Sequence, residues 1–332
     1  MSSDRRHRAG RACGHTRQRV LLSIGIACAL AIPVVSTRTQ QTRDARSTAE
    51  AELHVLPVQG NVYMLAGPGG NVTIQTGKDG VLLVDTMSEA LASRIAAEVK
   101  KLTNLPIRFI VDTSIDADHV GGNAALSAMG TTGATQVAGG GATVIANEHV
   151  LNRMAPPVTT KETPPLLKGL PNDEYFTPTK DFYFNGEPII IFHETDAHTD
   201  GDSIVLFRRS DVISAGDIFT PDRYPVIDVE RGGSVQGFIA ALNHLLHLTV
   251  PERLQEGGTR VIPGHGRLCN EADVVEYRDM VTIVRDRIQA MVTNNMTLDQ
   301  VKAARPTLDY DPRYGPSDRF VEAVYSSLRG KP

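Results

Sequence analysis

The sequence predicts a layered α/β fold. Three observations predict it. From about residue 52 the chain opens with a run of short β-prone segments, and it then alternates apolar strand with amphipathic helix. Clusters of Asp and His recur directly after predicted strands, as they do when strand-end loops converge on one edge of such a fold. At 332 residues there is room for one large domain or two small ones. Hydrophobic residues at 41% and charged residues at 22% are ordinary globular usage, which excludes a disordered or collagen-like chain. Three cysteines are too few for a disulfide scaffold. The net charge of −4 speaks against a nucleic-acid partner.

That net charge hides an asymmetry. Residues 1–50 hold nine Arg, no Lys and three acidic residues, a net of +6, so the remainder carries −10. The basic stretch leads into an apolar run of 16 residues, 20–35, slightly short for a bilayer span of about 20. A basic start, a short apolar centre and small residues after it mark a secretory signal peptide over 1–36. The expectation is therefore a bacterial periplasmic or secreted protein, with an uncleaved inner-membrane anchor as the alternative. Membrane contact is expected only through that segment. Cys13 and Cys28 fall in the leader, which leaves Cys269 alone and no internal disulfide. Residues 37–51 are polar and aperiodic, and read as a flexible linker.

The β-prone runs are 53–58, 62–66 and 72–76, separated by the turns Gly67-Pro68-Gly69-Gly70 and Lys78-Asp79-Gly80. Residues 81–84 form a continuous apolar strand ending at Asp85. A helix is predicted over 88–102, with Ser88 as N-cap and Leu91, Ile95 and Val99 on one face. Residues 107–111 form the next strand. Residues 130–142 are Gly-rich, and 155–179 carry six prolines, which marks a long loop able to cover a site. Strands resume at 182–184, 188–192, 203–207 and 212–214. A helix follows over 234–248, then a short strand at 261–262, then helices at 271–294, 298–304 and 317–328.

Four clusters carry chemistry. They are Ser114-Ile115-Asp116-Ala117-Asp118-His119, His198-Thr199-Asp200-Gly201-Asp202, Gly216-Asp217 and Pro263-Gly264-His265-Gly266. Carboxylate and neutral imidazole are good ligands for hard or borderline divalent ions. The two-residue spacing of Asp116 and Asp118 lets a bent loop aim both at one point. An isolated strand-end Asp commonly just caps a turn, and His54, His149, His193, His244 and His247 stand outside any cluster. The four clusters together, in this order, carry the inference.

In these motifs the chain resembles the metallo-β-lactamase-fold hydrolase superfamily. Residues 114–119, followed by Val120-Gly121-Gly122-Asn123, stand where that family has H-x-H-x-D-H. Ala197-His198-Thr199, Ala215-Gly216-Asp217 and Pro263-Gly264-His265-Gly266 match its later motifs, and Gly80–Thr86 matches its strand before the first long helix. The resemblance implies a four-layer αβ/βα sandwich over 52–270, with metals at one edge between two central sheets, and a C-terminal helical extension over 271–332.

Carried over residue by residue, it implies one complete metal site from Asp118, His119 and His265, with Asp217 bridging to a second. The second site keeps His198 and Asp217 but has Ser114 and Asp116 where the family has histidines. Ser114 is too short and too weakly basic to ligate. Asp116 can ligate, as the longer Glu does in flavodiiron relatives; a single-metal site is the alternative. The implied cofactor is zinc, one or two ions. An Asp116 ligand would lower the positive charge of the centre, weaken it as a Lewis acid and favour Mn or Fe.

The implied reaction is hydrolysis of a small-molecule ester, lactone, thioester or β-lactam by a metal-held hydroxide, with Asp118 orienting the water or taking its proton. The 217–233 loop is expected to form a pocket wall, with Tyr224 and Arg223 as candidate substrate contacts. Nothing reads a β-lactam specifically. Two other readings are a degenerate binding protein and a mono-iron redox enzyme of the same fold. The latter needs the His that Ser114 replaces.

Overall fold

The computed structural model describes residues 52–132, 140–155 and 169–330. The leader and linker over 1–51, residues 133–139 of the Gly-rich stretch and 156–168 of the Pro-rich stretch lie outside the described residues, and with them the expected site-covering loop.

Strand β4 (Gly80–Val84) shows how the layers arise. All five of its residues are buried. Successive side chains point to opposite faces, so Val81 and Leu83 join one apolar cluster while Leu82 and Val84 join another. A strand buried on both faces needs cover on both. One face is covered by the helix α1 (Ala92–Leu102), through Ile95 and Val99, and by Leu126. The other meets a second sheet, through Ile189, Ile191, Val205, Phe207, Val212 and Ile262. Each such fully buried aliphatic side chain contributes roughly 1.5–3 kcal/mol relative to exposure.

The first sheet has seven strands in sequence order: β1 (His54–Gln59), β2 (Val62–Gly67), β3 (Gly70–Gly77), β4, β5 (Ile107–Val111), β6 (Thr143–Asn147) and β7 (Asp173–Tyr175). The first four pair antiparallel through tight turns, and β4 through β7 pair parallel. The second sheet runs in the order β13 (Cys269–Asn270), β12 (Arg260–Ile262), β11 (Val212–Ser214), β10 (Asp202–Phe207), β9 (Glu187–Glu194), β8 (Thr179–Phe184). Its outer face carries Ile204, Ile213 and Val261, covered by Phe238 and Leu242 of a helix spanning Val235–Leu248 and by Val281 and Val284 of one spanning Glu271–Thr293. The order is helix, sheet, sheet, helix, as the motifs implied.

The C-terminal helices join that same outer layer, since Phe320, Val321 and Val324 of the helix Asp318–Arg329 belong to the same cluster as Phe238. The long helix starts with Asn270 and Asp273 capping each other reciprocally. At residue 88 the structure differs from the sequence expectation. Ser88 precedes a single 3-10 turn, Glu89–Leu91, and its hydroxyl caps nothing; the α-helix begins only at Ala92. The carbonyl of Ser88, not its side chain, takes the Leu91 N–H.

Candidate metal centre

The parallel strands bring the chemistry to one edge. Asp85 follows β4, Thr113 follows β5, Asp217 follows β11, and His265 follows β12. Asp116 is the extended residue before a one-turn helix, Ala117–Val120, which carries Asp118 and His119. The extended-to-helical change separates the directions of Asp116 and Asp118. Each therefore joins a different donor set: Asp118, His119 and His265 in one, and Asp116, His198 and Asp217 in the other.

Within the first set, His265 Nε2 lies 3.2 Å from Asp118 Oδ2 and 3.5 Å from Asp217 Oδ1. His119 Nε2 lies 3.4 Å from Asp217 Oδ1. Ligand bonds of about 2.1 Å in a tetrahedron put ligand atoms roughly 3.4 Å apart, so these spacings suit one divalent ion. Two further facts support the fit. His119 Nε2 and Asp217 Oδ1 are both buried and neither has a hydrogen-bond partner among the described residues. Burying polar atoms unpaired is costly, and a shared cation resolves both.

Asp85 holds His119 in the form a ligand requires. Its Oδ2 lies 2.9 Å from His119 Nδ1, and a carboxylate only accepts, so Nδ1 carries the hydrogen and Nε2 is left as the donor to a metal. Asp85 also accepts from Thr113 N at 2.8 Å and Thr113 Oγ1 at 2.7 Å. Gly264 keeps the Asp217 carboxylate in place by its lack of a side chain, since a Cβ there would sit 2.3 Å from Asp217 Oδ1. Asn71 anchors the His265 loop by donating from Nδ2 to Pro263 O and Gly266 O.

The charges agree with a cation-ready cluster. Burial works against ionisation of Asp217, but His119, His265 and His198 outweigh it and hold its carboxyl below the usual range. Burial likewise opposes ionisation of Asp118, and its hydrogen bond to His265 together with the charges of His119 and His265 outweighs that and lowers it.

The second set is arranged differently. His198 Nδ1 donates to Val226 O at 2.8 Å, and His198 Nε2 lies 2.7 Å from Asp116 Oδ2. Burial disfavours the imidazolium, but Asp116 together with Asp202, Asp217 and the Val226 carbonyl outweighs it and raises His198 to about 9. The same hydrogen bond from His198, aided by Arg231, lowers Asp116 to about 2 despite its partial burial. Asp202 fixes the turn by accepting from Thr199 N and Oγ1, and burial raises it to about 6. Ser114 is fully buried, and its hydroxyl has no hydrogen-bond partner among the described residues.

The six residues expected as ligands are thus brought together. The two expected substrate contacts are not among them. Tyr224 is 5% exposed and stacks on Phe320 at 5.2 Å. Its hydroxyl donates to Asp311 Oδ1 and Thr307 O. The C-terminal extension thus holds both its ring and its hydroxyl. Tyr224 and Arg223 both line a groove of about 700 Å³ between the 223–230 loop and the last helix.

Sequence reasoning missed two residues. Asp85 was visible only as the end of a strand. Arg231, in the loop expected to line the pocket, donates from Nη1 to Asp116 Oδ1 at 2.6 Å. Its signal was an Arg ahead of the Gly232-Gly233 turn.

With this geometry in hand, known proteins can be compared. A family described as the metallo-beta-lactamase superfamily matches residues 57–265. No curated protein gives a significant match. Among solved structures the chain is similar to the stereoselective inverting sec-alkylsulfatase Pisa1 from Pseudomonas sp., at a TM-score of 0.62 and 18% identity, over 85% of this chain and 51% of that one. It is also similar to a metallo-beta-lactamase from Pontibacter korlensis, at a TM-score of 0.51 and 17% identity, over 70% of this chain and 99% of that one. The chain spans about half the length of the alkylsulfatase. At such identities the likeness is one of fold.

Proposed function

The chain belongs to the metallo-beta-lactamase superfamily, and from that premise we propose that it is a metal-dependent hydrolase of a small acyl compound: an ester, lactone, thioester or lactam. The observation that carries the reading is the pair of buried, unpartnered donors, His119 Nε2 and Asp217 Oδ1, facing each other beside Asp118 and His265. Such a cluster is built for a cation. Asp118, His119 and His265, with Asp217, would hold a divalent ion, zinc in the first instance and Mn or Fe as alternatives. Once bound there, the ion supplies polarisation of the scissile bond and acidification of water.

The remaining chemistry falls to the chain itself. Asp118 is the most accessible of these carboxylates, with 40% of its side chain exposed. It is held ionised by His265 and His119 together and can therefore orient a water and accept its proton at a carboxylate oxygen. Asp85 keeps the His119 imidazole in one tautomer. We also propose that the protein is exported, on the support of the basic-then-apolar N-terminal run.

The test is a panel on purified protein. Bound metals are measured, and nitrocefin, p-nitrophenyl acetate, a lactone and a glutathione thioester are assayed with and without chelator. Hydrolysis of at least one is expected, abolished by chelator and reduced about 10²–10⁴-fold by Asp118→Ala. Hydrolysis indifferent to chelator would overturn the proposal. Silence on every substrate with metal bound would favour a binding protein.

A further inference from the structure

The second donor set does not fit a metal as the first does. Asp116 has two carboxylate oxygens and both are taken: Oδ2 by His198 Nε2 at 2.7 Å and Oδ1 by the Arg231 guanidinium at 2.6 Å. Ser114, at the position of a third ligand in the family pattern, offers a neutral hydroxyl in place of an imidazole or carboxylate. A guanidinium is a permanent cation that pairs with carboxylate in fixed geometry. We propose that Arg231 is a built-in cation filling the second subsite, so that the protein holds a single divalent ion, in the set of Asp118, His119, Asp217 and His265. This rests on the proposed metal-dependent function.

Arg231 is held too firmly for its position to be incidental. Its Nε lies 2.8 Å from Asp228 Oδ2. Its N–H donates to Asp228 Oδ1 at 2.9 Å, and its carbonyl accepts from Asp200 N at 3.0 Å and Arg153 Nη2 at 3.2 Å. Arg153 in turn forms an ion pair with Asp200. The loop is pinned to the metal edge itself, because Asp228 N donates to His198 O at 2.9 Å. The two residues after Arg231 must be glycine. Gly232 has φ +92°, and a Cβ on it would lie 2.8 Å from Asp200 Cβ. A Cβ on Gly233 would lie 2.3 Å from His198 O. Backbone, side chain and flanking glycines all deliver one positive charge to one carboxylate oxygen.

The placement explains an acidic set without a second dication. His198 holds one oxygen of Asp116 and Arg231 the other, so neither oxygen is left for a second dication, and Asp217 is free to serve the first set.

The experiment counts ions. Metal-free protein is titrated with zinc by calorimetry, and the loaded protein is checked by elemental analysis and by the absorption bands of cobalt in place of zinc. The wild type is expected to take one ion per chain, and Arg231→Lys, which keeps the charge, the same. Arg231→Met removes the charge but keeps an apolar stem; it is expected to take a second ion while retaining the first site's cobalt spectrum, which certifies the fold. Two ions in the wild type, or still only one in a folded Arg231→Met, would overturn the inference. No ion in the wild type would instead sink the metal-dependent function, so the two failures are distinguishable.

Discussion

Asp85→Asn isolates the group that prepares His119. Three donors converge on the two oxygens of Asp85: His119 Nδ1–H, Thr113 N–H and Thr113 Oγ1–H. Asn is the right probe because Asp85 has φ +63°, a left-handed backbone that Asn tolerates and Ala does not. The amide then has two orientations. If its nitrogen faces Thr113 N–H, a buried backbone donor loses its acceptor, at a cost of about 1–3 kcal/mol. If its nitrogen faces His119 and Thr113 Oγ1, the imidazole can respond by moving its proton from Nδ1 to Nε2, and the Thr113 hydroxyl can turn to the freed Nδ1, 3.1 Å away. The second orientation wins because a tautomer can change and a backbone N–H cannot. It also removes the Nε2 lone pair needed by the metal. The expected loss is about 10- to 100-fold in metal affinity, or roughly 1.4–2.8 kcal/mol at about 1.4 kcal/mol per decade. Competition against a chromophoric chelator measures it, and thermal denaturation of the metal-free protein checks the fold. Unchanged affinity in a variant of native stability would refute the reasoning, because His119 would then hold its tautomer without Asp85.

Two further outcomes follow from contacts away from the donor atoms. His244 Nδ1 lies 2.5 Å from Glu194 Oε1, and that hydrogen bond raises His244 above the ordinary 6.5. A raised folded value means the stabilisation is fully present below about 6.5 and is lost as pH climbs through the raised value. Denaturant midpoints of His244→Gln should therefore fall below the wild type's in acid and converge with them in alkali; a pH-independent gap would contradict this. Tyr224→Phe removes the hydroxyl bonds to Asp311 and Thr307 and should cost about 1 kcal/mol in urea denaturation; no change would mean those bonds contribute nothing.

The candidate ligands were legible in the sequence because they come in short clusters. Asp116, Asp118 and His119 lie within four residues, and His265 is flanked by glycines. The layered fold was legible for a related reason: alternation and helical periodicity are local, and β4 is apolar throughout because both of its faces are covered. The residues that tune the site were not legible. Asp85 meets His119 across 34 positions, and Arg231 meets Asp116 across 115. No spacing in the chain encodes such pairings; only the register of β4 on β5 and the pinning of the 228–233 turn create them. The surroundings of Tyr224 were hidden for a similar reason. An aromatic beside a proline in a loop after Asp217 looks available for substrate, but the sequence does not show that the C-terminal helices return to cover it.

Arg231 also changes what Asp116 means for reactivity. Read from the sequence, the replacement of His by Asp116 adds a negative charge to a two-metal centre and so weakens it as a Lewis acid. In the structure that carboxylate is paired with Arg231 and His198, so in the proposed single-ion site its charge would be offset before it reached the ion. The first set together with Asp217 would then place two imidazoles and two carboxylates around one dication, neutral overall. Its softness is set by His119 and His265 as much as by oxygen, a donor mix that suits zinc without excluding Mn or Fe. If Arg231 holds Asp116 as proposed, metal choice would rest on the ratio of imidazole to carboxylate among Asp118, His119, Asp217 and His265.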